Sequence, residues 1–141
     1  MPLKIESKPV TKEFKLSVDP TGETLVIIRQ ATVGEHQRRY DLLAEVTFVV
    51  MRNQGNQEIR QRINVYEQMR LDAYCSLSDC NIIGPDGGSL FKFRDGQIRN
   101  QVEFNTAWDS MPPGWAEEIH RYILQVNPDW DPSRGDFPPL D

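Results

Sequence analysis

The chain has 141 residues and a net charge of -5, from 21 acidic and 16 basic side chains, with 38% hydrophobic and 26% charged residues. That is the size and balance of one water-soluble domain, able to bury about two thirds of its unfolded surface. The acidic excess argues against a sequence-independent grip on nucleic acid, no apolar run approaches the ~20 residues of a membrane span, and the opening MPLKIESKPV lacks the apolar region of a secretory signal, so a cytoplasmic location is expected.

Residues 1–12 are polar and proline-punctuated and read as a flexible lead-in. FKLSV then alternates Phe14, Leu16 and Val18 against Lys15 and Ser17, the pattern of a half-buried strand. DPTG sets Pro20 and Gly22 at the second and fourth positions favoured in a type I turn, and Leu25 to Ile28 continue as a more buried strand, completing a hairpin. TVGEHQRRYDLLAEV opens with Thr32 and Glu35 at capping-box spacing, where each side chain can satisfy the other's free amide. Tyr40, Leu43 and Val46 recur at helical spacing, VTFVV is read as finishing that helix, and RNQGNQE as a Gly-centred break.

The stretch from Ile63 to Leu77 fits two patterns. As a strand, Val65, Met69, Leu71, Ala73, Cys75 and Leu77 share a face; as a helix, Tyr66, Met69, Ala73 and Leu77 form a stripe. The cleaner alternation favours a strand for its second half. GPDGG marks a turn, and SLFKFRDGQIRN reads as a second small hairpin around Asp95-Gly96. QVEFNTAWDSM then places Phe104, Trp108 and Met111 on one helical stripe. PPGW breaks it, with Pro113 suited to the first turn of a new helix whose apolar side carries Trp115, Ile119, Tyr122, Ile123 and Val126. Asn127-Pro128 ends that helix, because a residue before proline is pushed out of helical geometry.

The expected architecture is α+β, with a small antiparallel sheet of N-terminal and central hairpins and a C-terminal helical pair packed on it. Residues 13–128 form the single domain and 129–141 an acidic, Pro-containing tail. That tail, DWDPSRGDFPPLD, cannot bury enough apolar surface to fold alone. Trp130 either folds back onto the helical pair or joins Phe137 as an anchor of a docking peptide.

Catalytic motifs are missing: there is no GxSxG elbow, P-loop, HExxH or GxGxxG. GPDGGSLF has neither a lysine nor a helix start behind it to cradle a phosphate, so it reads as a turn. Glu35 and His36 are consecutive and diverge by about 100° on a helix, and His120 is expected to pair locally with Glu117 at the surface. Glu117 and Glu118 suit the positive end of a helix dipole. Cys75 and Cys80 are too widely spaced for a CxxC pair, and His36 and His120 bring no ligand-like neighbours. The basic clusters at Arg38-Arg39 and at Arg60, Arg62 and Arg70 are diluted by acidic or polar residues and read as solvated faces. These residues lead to the expectation of no catalytic site, no cofactor and no metal, and of a protein partner in place of nucleic acid or membrane.

Taken together, the two-strand start, ATVGE opening a helix, DGGSLFKF, and EFNTAWDSMPPGWAEEIHRYILQVNPDW resemble the small tail assembly chaperones of long-tailed bacteriophages. The likeness is loose over residues 14–50 and closer over 86–130. It implies a non-enzymatic chaperone in the host cytoplasm that shields the long, hydrophobic tape-measure protein and helps recruit tail-tube subunits. It also implies a longer frameshifted product and departure before the virion is complete. The family fixes no binding residues by motif. The residues themselves nominate Trp115, Trp130 and Phe137 as a partner-facing surface, and a chaperone should expose an apolar patch or hide one in a homo-oligomer. Two other readings compete: a structural tail or connector component that stays in the particle, and a small enzyme whose site is assembled from distant residues around a strongly perturbed carboxylate or histidine.

Overall fold

A computed structural model of the chain describes residues 2–5, 7–54 and 57–131, with the side chains of 45–64 outside the description. In chain order the elements are β1 (Thr11–Lys15), β2 (Leu25–Arg29), α1 (Val33–Gln54), α2 (Gln57–Ser76), β3 (Leu77–Cys80), α3 (Gln101–Asp109) and α4 (Pro113–Val126). A 3-10 turn, Pro128–Trp130, follows. The architecture is α+β, as the sequence patterns imply: a three-stranded antiparallel sheet in the order β1-β2-β3, with helices laid against it.

The β1–β2 hairpin closes through the Asp19–Gly22 turn, where the Gly22 amide donates to the Asp19 carbonyl at 3.1 Å. Strand β1 starts earlier than its alternation suggests, at Thr11, inside the stretch read as a lead-in. Its register runs from Thr11 opposite Arg29 to Lys15 opposite Leu25. On the other side of β2, Val26 faces Cys80, Ile27 faces Asp79, and Ile28 faces Leu77, so Ser78 is the extra residue of a bulge. The bulge solves a phase problem. Leu77 and Cys80 are three apart and would point to opposite faces of a regular strand, yet both are buried against the buried side chains of Val26 and Ile28.

Helix α1 starts where its capping box requires. The Glu35 amide donates to Thr32 Oγ1 and the Thr32 amide to Glu35 Oε1, both at 3.2 Å. Asn100 caps α3 by accepting from the Glu103 amide at 3.1 Å, and Pro113 occupies the first turn of α4. Phe104 and Trp108 on α3 join Phe91 and Tyr74 in a buried aromatic cluster, with neighbouring ring centroids 5.3 to 6.4 Å apart.

Three expectations are corrected. The second half of the 63–77 segment is helix, not strand: α2 runs to Ser76 and passes into β3 without a loop. Every residue from Leu71 to Leu77 is buried, because α2 is covered by α1, α3 and α4. A helix enclosed all round shows no polar stripe, so alternation there was coincidental. The 89–98 segment does turn at Asp95-Gly96, with φ of 55° and 70° and a single bridge between Arg94 and Gln97. It forms no strand of the sheet; the third strand is β3. The folded domain also reaches past residue 128, since the Pro128–Trp130 turn packs into the core.

The helices are tied by a buried charge network. The Asp72 carboxylate on α2 is fully buried and accepts from Arg39 Nε of α1 at 2.6 Å and from His120 Nε2 of α4 at 2.8 Å. His120 is therefore paired across the fold and not with Glu117. Replacing Asp72 by Ala strands Arg39 without its carboxylate, and removing one member of a buried pair costs about 3–5 kcal/mol. Urea unfolding of Asp72→Ala should show a lower midpoint by that margin, whereas the apolar pair Arg39→Met with Asp72→Leu should recover most of it. A loss below about 1 kcal/mol in the single variant would show that the network is solvated in solution.

Candidate partner-binding site

Of the three residues nominated from the sequence, Trp115 lies at the surface. It sits half-buried on the first turns of α4 and lines a groove of about 470 Å³ with Leu16, Val18, Pro20, Ile82 and Ile83. Asp19 and Glu23 supply its charge. The wall of this groove is held in place by Glu118, one turn along α4 from Trp115. Its carboxylate accepts from the Ser17 amide at 2.5 Å, the Ser17 hydroxyl at 2.9 Å and the Val18 amide at 3.2 Å. Tyr122 completes the clamp, donating to Glu118 at 2.8 Å while its ring stacks on Phe14 at 4.4 Å.

Burial pushes the Glu118 carboxyl up, but hydrogen bonds from the Ser17 amide, Tyr122, the Ser17 hydroxyl and the Val18 amide outweigh it and hold the group below its ordinary value of 4.5. At the turn itself, the side chains and amides of Thr21 and Thr24 all donate to Asp19, at 2.7 to 3.0 Å. The Thr21 and Thr24 hydroxyls do most to bring that carboxyl down to about 2, so the groove keeps its negative charge near neutrality.

A second groove, of about 560 Å³, runs between α3 and the segment from Pro85 to Arg99. Phe91, Ile98 and Phe104 make its buried floor, Leu90, Phe93 and Ala107 its half-buried walls, and Val102 stands on its edge, 77% exposed. Lys92, Arg94 and Arg99 stand on its rim against the single acid Glu103.

Trp130 is placed differently, at 2% exposure. Its Nε1–H donates to His36 Nδ1 at 2.8 Å, the His36 ring meets it edge-on, and the Arg39 guanidinium lies 4.8 Å from its ring centroid. Gln68 Nε2 donates to its carbonyl at 3.3 Å. The indole fills a slot between α1 and α2, and its face is not open to a partner in this conformation. Phe137 lies outside the described residues.

The long-range ties are made by residues whose local roles hide them in the sequence. Glu118 suits the helix dipole, but as a carboxylate on an otherwise apolar stripe with Trp115, Ile119 and Tyr122 it also signals a buried partner, here Ser17 and Val18. Asn127 is also buried; its Oδ1 accepts from the Ala31 amide at 2.8 Å and its Nδ2 donates to the Arg29 carbonyl at 3.1 Å. The Asp72–His120 pair has the look of an acid–base dyad, but both Asp72 oxygens are taken, neither residue lines the two grooves above, and Ser76 donates to the Asp72 carbonyl within its own helix. Among the described residues no three His, Cys, Asp or Glu side chains gather as metal ligands, and no helix is long and apolar enough to cross a membrane. Cys75 and Cys80 are free and buried, and burial pushes both thiols up to about 11, which keeps them protonated and unreactive.

No family model, curated protein or solved structure matches the chain.

Two expectations follow from this geometry. Trp130→Ala should destabilise the fold by about 3–5 kcal/mol in chemical unfolding, and Trp115→Ala by far less, because only the first empties a closed core site. Glu118 has a depressed folded-state pKa, so its contribution is complete above its ordinary value of 4.5 and is lost as pH falls through the folded value. The stability gap between wild type and Glu118→Gln should therefore be full near about pH 6 and shrink toward about pH 3. A gap independent of pH would mean that the clamp does not depend on the carboxylate charge.

Proposed function

We propose that this protein is a non-enzymatic tail assembly chaperone of a long-tailed bacteriophage, binding the tape-measure protein and helping to recruit tail-tube subunits in the host cytoplasm. The observation that carries the reading is a coincidence of place. The segment that most resembles that family, residues 86–130, is also the segment that builds the open apolar groove beside α3. A chaperone for a long, apolar, filamentous client needs a surface that is hydrophobic, shallow and free of covalent chemistry. An aromatic floor beneath an exposed valine offers that, and the basic rim favours clients that carry acidic positions beside their apolar ones.

The remaining resemblance motifs have structural work that is consistent with a rigid platform. ATVGE supplies the cap of α1, EFNTAW the aromatic cluster, and VNPDW the Asn127 and Trp130 ties.

The test is a pull-down with the tagged chain from expressing or infected cells, read by mass spectrometry beside purified particles. Recovery of a long coiled-coil protein and a tube subunit, with this chain absent from particles, is the expected result. Stoichiometric presence in particles would replace the proposal with a structural tail component, and recovery of neither client would end it. Val102→Asp, at an exposed position where substitutions rarely disturb folding, should reduce client recovery about tenfold or more, the effect of losing one buried apolar anchor.

A further inference from the structure

We propose that the acidic groove around Trp115 receives the N-terminal arm, residues 3–8, of a second copy of this chain, so that copies join head to tail. The inference concerns a different groove from the one above and does not depend on the chaperone reading.

The arm has the composition of a ligand. Leu3 and Ile5 are 104% and 93% exposed, as open as in a free peptide. Spaced by two, they share one face of an extended segment, with Lys4 between them and Lys8 beyond. Among the described residues, sheet pairing reaches back as far as Val10, whose carbonyl accepts from the Gln30 amide at 2.8 Å. Two exposed aliphatic side chains on one face are the anchors by which a short extended peptide enters an apolar groove, and the lysines beside them add charge.

Charge decides which groove the arm fits. The groove beside α3 has Lys92, Arg94 and Arg99 on its rim, the wrong sign for a segment with two lysines and one acid. The Trp115 groove is lined by Asp19 and Glu23 and by no lysine or arginine. Its apolar residues, Trp115, Val18 and the 71%-exposed Ile83, stand open beside those acids.

Topology then decides whose arm it is. The groove is built at the turn end of β1, from Leu16 to Thr24, and the arm leaves the opposite end, at Thr11. Five strand residues separate the two ends, roughly 17 Å, and Leu3 and Ile5 stand fully exposed, outside the groove of their own chain. A neighbouring copy presents its arm without that reversal. Because arm and groove are different surfaces, the contact is heterologous and propagates into a ring or a short filament.

The experiment uses the full chain in sedimentation equilibrium across a range of concentrations, with two surface variants: an arm variant, Leu3→Asp with Ile5→Asp, and a groove variant, Ile83→Asp. All three positions are exposed, so circular dichroism should show unchanged folding. Wild type should associate and each variant alone should be monomeric. An equimolar mixture of the two should form a one-to-one heterodimer and nothing larger, because the intact arm of one enters the intact groove of the other. Glu23→Lys should raise the dissociation constant about tenfold or more and reduce its dependence on salt. A monomeric wild type, association that survives both variants, or a mixture that fails to pair would each overturn the proposal, the first being the result if the arm folds back within its own chain.

Discussion

The fold is organised around one carboxylate that is shut off from solvent. Asp72 is fully buried, and each of its oxygens is claimed by a cation-bearing or hydrogen-bonding side chain from a different helix, Arg39 on α1 and His120 on α4. An ionised carboxylate can only accept, so His120 must present its hydrogen at Nε2. The desolvation of such a group is tolerable only when its partners are fixed. That requirement ties α1, α2 and α4 to one another at a single point. The Arg39 guanidinium has a second neighbour: it lies beside the Trp130 ring, whose indole N–H is taken by His36. One buried charge therefore also determines where the chain after α4 comes to rest.

The same logic recurs at each irregular junction. Arg29, at the end of β2, is buried and sends its guanidinium to Glu35 at 2.6 Å, to the Cys75 carbonyl at 2.6 Å and to the Gly96 carbonyl at 2.8 Å. The Cys75 carbonyl belongs to the last turn of α2, where no helical partner remains. The Gly96 carbonyl lies in a turn outside the sheet and also accepts from Ser78 at the bulge. Asn127 performs a matching task at the same end of the hairpin, engaging the backbone at positions 29 and 31 where β2 gives way to α1. Polar groups that a regular fold would satisfy by ladder or helix are here satisfied by long side chains.

What could be read from the sequence was local, and what could not was the partner of each local feature. The Asp19–Gly22 turn, the Thr32–Glu35 capping box, Pro113 at a helix start and the Asn127-Pro128 stop are all set by residues within four of one another, and all are found in the structure. Helix α2 was obscured because a segment buried on every side loses the periodicity that identifies it. The turn at Asp95-Gly96 was legible, but whether its flanks join the sheet is decided by β3, which already occupies the open edge of β2. His120 illustrates the limit best. Its neighbour at Glu117 was visible and its partner at Asp72, forty-eight positions away, was not. Of the nominated surface residues, Trp115 lies at a groove through its position on the apolar stripe of α4, and Trp130 follows the fold-back reading into the core, where its partners His36, Arg39 and Gln68 are ones that no spacing rule encodes.

The placement of charge gives these structural ties a functional consequence. The chain is acidic as a whole, yet it carries one apolar groove with a basic rim and another lined by acids. Grooves of opposite sign cannot compete for the same peptide, since the charge that draws a ligand to one repels it from the other. The walls of both rest on the polar ties described above: Glu118 fixes the loop beside Trp115, and Arg29 and Ser78 hold the Gly96 turn at the end of the segment beside α3. A surface that has to distinguish two apolar ligands gains little from further apolar area, which is indiscriminate. It gains from fixed charge held at a fixed distance from that area, and the buried and half-buried carboxylates and guanidinium of this fold supply the fixing.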